Sequence, residues 1–146
     1  MNPTATEPTT RFKIYTLRNL LPDEDTLQLN IERGVLSQIH AGKIVEQQIF
    51  SPGETWIVKS LFENYPDYCP YEDILHEMTG KSVDECREAM YRSSDENGTI
   101  DPVMRPVRNI MGRSREKLHP FGIQITSIVN LGYVLNTLKA GMHKEK

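Results

Sequence analysis

Residues 105–135 read RPVRNIMGRSREKLHPFGIQITSIVNLGYVL, and the fold turns on how this stretch divides. Val107, Ile110, Met111, Ser114 and Leu118 recur at three- and four-residue steps, the spacing of one buried helix face. Pro106 suits a first helical position, where its missing N–H costs nothing. His119-Pro120 ends the helix and Phe121-Gly122 turns the chain. Two apolar runs follow, Ile123 to Ile128 and Tyr133 to Asn136, joined across Val129-Asn130-Leu131-Gly132 as a β-hairpin. The helix face opposite the apolar one carries Arg105, Arg108, Asn109, Gly112, Arg113 and Glu116.

Upstream, the pattern predicts further helices. Ser51-Pro52-Gly53-Glu54 combines a capping serine, a proline suited to the first turn and a glutamate three residues on, which together make a capping box. Trp56, Ile57, Ser60, Leu61 and Tyr65 follow on one face, with Trp56 expected in the core, and Pro66 stops the helix. A short helix carries Ile74, Leu75 and Met78 and ends at Gly80. Ser82 and Glu85 form a second capping box ahead of Cys86, Ala89 and Met90. Ser93 to Thr99 reads as a polar loop.

Further upstream the period changes from helical to alternating. Phe12 to Leu17 is expected as a strand, and Leu27, Leu29 and Ile31 alternate with polar neighbours. Turn signals at Glu32-Arg33-Gly34 and Ala41-Gly42-Lys43 separate strands around Val35–Ile39 and Ile44–Phe50. The expected fold class is therefore α+β. An N-terminal antiparallel sheet occupies 11–50, three to four helices occupy 51–118, and a hairpin occupies 123–138. Residues 1–10 and 139–146 are expected as disordered tails.

The bulk numbers bound the function. At 146 residues, with 38% hydrophobic and 25% charged residues, the chain suits one soluble core. No apolar run reaches the roughly 18 residues of a membrane span, and Met1 to Thr10 holds no signal-peptide core. Cys69 and Cys86 alone do not make a disulfide scaffold, so a cytoplasmic location is expected. The net charge of −3 is unevenly spread. Between Glu54 and Asp101 there are twelve acidic and four basic residues. Between Arg105 and His119 there are five basic residues against one acidic. Positive charge is thus gathered on one element.

Taken in order, several of these pieces resemble the winged-helix effector domain of OmpR/PhoB-type response regulators. They are the FSPGETWIVKSL entry at 50–61, Ile74-Leu75 with Gly80, Arg113-Ser114-Arg115-Glu116-Lys117-Leu118, and the hairpin ending Leu131-Gly132-Tyr133-Val134-Leu135. The resemblance covers about Leu27 to Leu138. It implies a winged helix-turn-helix in which helix 106–118 reads the major groove of double-stranded DNA and hairpin 123–136 is the wing. From the length, the phosphorylatable receiver domain that usually precedes it is not expected here. Three departures stand out: an extra helix and acidic stretch between Gly80 and Arg105, Val129-Asn130 where the family wing often carries arginine and glycine, and Ser114 where it usually has leucine.

The chemistry of the basic face agrees with that implication. An arginine fork can pair bidentately with guanine or clamp a phosphate, and asparagine can pair with adenine. Arg105, Arg108, Asn109, Arg113, Arg115 and Lys117 are the helix candidates, with Ser127 and Asn130 on the hairpin. The resemblance implies a base-edge role for Arg113 and phosphate roles for Arg108 and Arg115. Gly112 would let the helix sit close to a groove wall. A solvated basic face, with Val129-Asn130 as an ordinary turn, is the plainer reading of the same residues. The expected activity is transcriptional regulation, with homodimerisation a natural route to a longer site.

A second reading makes the domain a protein-docking module that uses the acidic insertion 84–101 or the sheet edge. RNA polymerase is the partner that the resemblance suggests. No enzyme, metal or cofactor is expected. His40, His76, His119 and His143 form no ligand spacing, and no phosphate-binding or nucleophile motif is present.

Overall fold

Alternation in the first third of the chain becomes one antiparallel sheet. The computed structural model describes residues 11–138. Its first strands are β1 (Phe12–Tyr15), β2 (Thr26–Asn30), β3 (Val35–His40) and β4 (Lys43–Ile49), paired in that order. Leu27, Leu29 and Leu36 point to the inner face and are fully buried. On the outer face, the register aligns Phe12, Asn30, Val35 and Ile49 in one cross-strand row. Ile14, Gln28, Ser37 and Gln47 form the next row, and Thr26, Ile39 and Ile44 the third. β1 stops at Tyr15, short of the expected Leu17. Leu17 adopts a φ of 39°, outside the strand region, and turns into the core with Leu20 and Leu21.

Helix α1 (Pro52–Asn64) opens with the expected capping box. The Glu54 amide donates to Ser51 Oγ at 3.3 Å and the Ser51 amide donates to Glu54 Oε1 at 2.8 Å. α1 covers the inner sheet face, and the Tyr15 and Phe62 rings meet edge to face at 5.1 Å. Trp56 is not in the core as expected but half-buried. The buried stripe runs through Glu54, Ile57, Val58, Leu61 and Phe62, which leaves position 56 at its margin, beside Arg11, Ile31 and Lys59.

After a two-residue strand, β5 (Cys69–Pro70), come α2 (Tyr71–Thr79) and α3 (Val83–Asn97). Gly80 closes α2 with a φ of 79°, and Ser82 and Glu85 form the second capping box. The stretch expected as a loop from Ser93 is instead helical as far as Asn97. The buried Ser93 hydroxyl donates to the Thr99 carbonyl at 2.8 Å, and Asn97 Nδ2 donates to Ser93 Oγ at 3.4 Å. These polar groups are therefore satisfied within the helix end rather than breaking it.

α4 (Asp101–Leu118) also differs from the expectation, beginning five residues before Pro106. Asp101-Pro102 supplies the start instead, with an acidic residue and a proline in the first turn. Pro106 lies inside the helix, where its missing N–H leaves the Pro102 carbonyl without a helical donor. Burial of Met104 and Val107 on either side holds the register through it.

A 3₁₀ turn (His119–Phe121) leads into the hairpin of β6 (Ile123–Ile128) and β7 (Gly132–Thr137). β7 is the centre of a three-stranded sheet, β5-β7-β6. Gly132 allows that sheet to close, since a Cβ there would lie 2.1 Å from the Cys69 carbonyl oxygen. One hydrophobic cluster runs from Leu17 to Leu135 and joins both sheets to all four helices. The architecture is α+β, with an N-terminal four-stranded sheet and a C-terminal hairpin. No helix among the described residues is long and apolar enough to cross a membrane. The expected tails, 1–10 and 139–146, lie outside the described residues.

Candidate nucleic-acid interface

α4 buries Met104, Val107, Met111, Ser114 and Leu118 and turns the opposite side outward. Ser114 is buried without exposure because its hydroxyl donates to the Ile110 carbonyl one turn back, at 3.0 Å. That bond accounts for a polar residue in the apolar stripe.

The structure divides the eight candidate residues into different settings. Arg105 and Asn109 are exposed and make no side-chain hydrogen bond or ion pair among the described residues. Arg108 pairs with Asp101, two turns earlier on the same face. Arg113 Nε donates to Glu54 Oε2 at 3.3 Å, yet the side chain is 66% exposed. Lys117 points inward, donating from Nζ to Glu54 Oε1 at 2.7 Å and to the Ile49 carbonyl at 2.9 Å.

Arg115 reaches the hairpin. Its Nε donates to the Ile125 carbonyl and its second guanidinium nitrogen to Ser127 Oγ, each at 3.1 Å. The guanidinium carbon lies 5.9 Å from the Tyr133 ring centroid. Ser127 is therefore Arg115's acceptor on the free edge of β6. Asn130 sits at the hairpin tip with a φ of 63°, the left-handed conformation asparagine tolerates. Val129 beside it is 80% exposed.

Two residues outside the candidate set fix this geometry. Glu54 is 2% exposed and takes both Arg113 and Lys117. Burial pushes its carboxyl up, but hydrogen bonds from Lys117, the Ser51 amide and Arg113 outweigh this and hold it below the usual 4.5. Tyr71 docks the hairpin tip. Its amide donates to the Leu131 carbonyl at 3.0 Å, its hydroxyl donates to the Ile128 carbonyl at 3.2 Å, and its ring lies edge to face with Tyr133 at 5.3 Å. Burial raises the Tyr133 phenol above its ordinary value, against the opposing pull of Arg108 and Arg115.

Sequence reasoning missed Glu54 in this role because the capping motif already explained it. Its cationic partners lie 59 and 63 residues away, beyond any local pattern. Asp101 was within reach, on the same helix face as Arg108, but the expected helix start at Pro106 left it outside.

Other reactive side chains are engaged structurally. Burial pushes the Cys69 thiol up to about 12, and His76 Nδ1 bonds the Lys81 carbonyl at 2.6 Å. No cluster of three or more His, Cys, Asp or Glu among the described residues is arranged to hold a metal ion. No family model, curated protein sequence or solved structure matches this chain. Its site is therefore read from its own geometry.

Proposed function

We propose that the chain is a winged-helix transcriptional regulator that binds double-stranded DNA, with α4 as recognition helix in the major groove and the β6–β7 hairpin as wing. The observation that carries this reading is the outward face of α4. Arg105, Asn109, Gly112 and Arg113 share that face, and Arg115 ties the hairpin alongside. A Cβ at Gly112 would meet nothing within 4 Å. The fold makes no demand for glycine there, although mid-helix glycine costs about 1 kcal/mol against alanine. A groove wall brought close to the helix supplies the missing reason. Arg113 suits a guanine edge, Asn109 an adenine edge, and Arg105 and Arg108 the phosphates. The acidic remainder of the surface repels DNA and favours approach through α4.

Fluorescence anisotropy with random duplex DNA at low and high salt tests this. Wild type is expected to bind with a salt slope of about 0.9 per phosphate contact. Arg105→Ala should reduce affinity for all sequences and lower that slope by about one contact. Absence of binding at low salt would sink the proposal.

One observation favours the second reading, a protein-docking face on residues 84–101. α3 exposes Tyr91 (65%) above a groove of about 440 Å³ that Tyr68, Met90, Ile100 and Leu131 also line. Exposed Asp84, Glu88, Asp95 and Glu96 lie on the same helix. On this reading, capture of RNA polymerase is lost in Tyr91→Ala and weakened in Asp95→Asn/Glu96→Gln. Unchanged capture in both variants excludes α3.

A further inference from the structure

Among the described residues, nine large apolar side chains are notably exposed, and five of them, Phe12, Ile14, Ile44, Val45 and Ile49, belong to the two edge strands of the N-terminal sheet. Each is more than half exposed. The register puts four of the five on the sheet's outer face, and Val45 is the extra residue where the β3–β4 pairing shifts. The eleven residues that share that face include no Asp, Glu, Lys or Arg, in a chain that is 25% charged. The charged residues of these strands sit elsewhere. Lys13 pairs across to Leu29 and Glu46 to Gln38 on the inner side. No described element covers the outer face.

We infer that the outer face of the β1–β4 sheet is a self-association surface, whose occupant is the same face of a second copy of this chain. The pattern of the face selects that partner. Its middle row carries Gln28, Ser37 and Gln47, and the Gln47 amide already donates to Ser37 Oγ at 2.8 Å. The flanking rows carry most of the apolar side chains, with Asn30 in one and Thr26 in the other, and Ile14 stands at the β1 end of the middle row. A two-fold axis parallel to the middle row lays one copy's Phe12–Val35–Ile49 row over the other's Ile39–Ile44 row. The amides of Gln28 and Gln47 then meet their own counterparts, and Asn30 lies over Thr26. Each of those groups both donates and accepts, so a copy of the same row satisfies it. A charged partner would strand its charge on a face with nothing to pair it. An all-apolar partner would bury the amides unpaired. Two identical copies avoid both costs, and the contact is isologous and closes on itself.

The area sets the strength. Four strands about 4.8 Å apart and rows about 6.8 Å apart give a footprint of roughly 400 Å² before side-chain relief. That is below the roughly 800 Å² per partner of a standard interface. The dimer is therefore concentration-dependent. Because the surface is uncharged, it is also insensitive to salt, unlike any contact made through α4 or α3. The inference does not depend on DNA binding.

Sedimentation equilibrium of the full chain, from low to several hundred micromolar and at two salt concentrations, tests it. The expected result is an average mass rising from monomer towards dimer, unchanged by salt, and held at monomer in Ile14→Lys/Ile49→Lys. If that variant loses its cooperative melt, Gln47→Arg takes its place, since it changes one exposed amide at the end of the middle row. A wild-type monomer at every concentration overturns the inference. So does association that weakens with salt or survives in the folded variants.

Discussion

Lys117 Nζ lies 2.7 Å from Glu54 Oε1, so the C-terminal turn of α4 supplies the cation that neutralises the buried cap of α1. A carboxylate with 2% exposure is costly unless it is paired and hydrogen-bonded. Glu54 is both, through Lys117, Arg113 and the Ser51 amide. This contact fixes where α4 ends relative to α1.

Glu54→Gln is accordingly expected to lower stability by about 2 kcal/mol at neutral pH, because two cations lose their partner while remaining partly in water. The carboxyl is held below its ordinary 4.5 in the folded protein. Its contribution is therefore present above that value and fades as pH falls through the lower folded one. Urea unfolding followed by Trp56 fluorescence should show the gap between wild type and variant narrowing below pH 4.5. A gap that stays constant with pH would refute the charge-pair account.

The Asp25–His40 pair should give the sheet a pH-dependent stability of opposite sign. His40 Nδ1 donates to Asp25 Oδ1 at 2.5 Å, and Gln38 Nε2 donates to Oδ2 at 2.6 Å. The bond to Asp25 raises His40 above its ordinary 6.5. The stabilisation is then complete below 6.5 and lost as pH rises through the higher folded value. Asp25 is lowered, chiefly by the same bond, so its contribution is lost only at acid pH, below 3.8. Thermal melts from pH 5 to 9 should fall on the alkaline side in wild type and lose that limb in His40→Gln.

Gly112→Ala separates folding from binding at a single position. The added methyl group enters open space, so the variant should be stabilised by about 1 kcal/mol from helix propensity alone. If α4 lies in a groove, the same methyl group weakens DNA binding. Stability gained with affinity unchanged would exclude close approach at this position. Calorimetry and anisotropy on one preparation give both readings.

Arg115→Ala should loosen the hairpin. It removes two hydrogen bonds, to Ile125 and Ser127, and the contact with Tyr133. The expected loss is about 1–2 kcal/mol. Amide exchange should rise in β6 more than in α1. Equal protection of β6 in wild type and variant would mean that Tyr71 alone holds the hairpin.

The elements that the sequence itself determined are those built from contacts within four residues. Ser51 with Glu54 and Ser82 with Glu85 each close a capping box inside one turn. Gly80 and Gly122 end their elements with positive φ, and Ile123–Ile128 falls within its predicted bounds. Alternation and helical periodicity likewise reported the inner face of the sheet and most of the buried stripe of α4, because burial repeats with the geometry of the element. Tertiary structure decided the rest. The polar run from Ser93 stays helical because Ser93 is buried and bonded, and α4 starts at Asp101 because Met104 and Val107 pack as one stripe through Pro106. The basic residues of α4 look alike in sequence. Only the distant partners Glu54, Ile125 and Ser127 separate those that hold the fold from Arg105, Asn109 and the exposed part of Arg113. A charge is committed or available according to what lies within a few ångströms of it, and here those neighbours come from other elements of the chain.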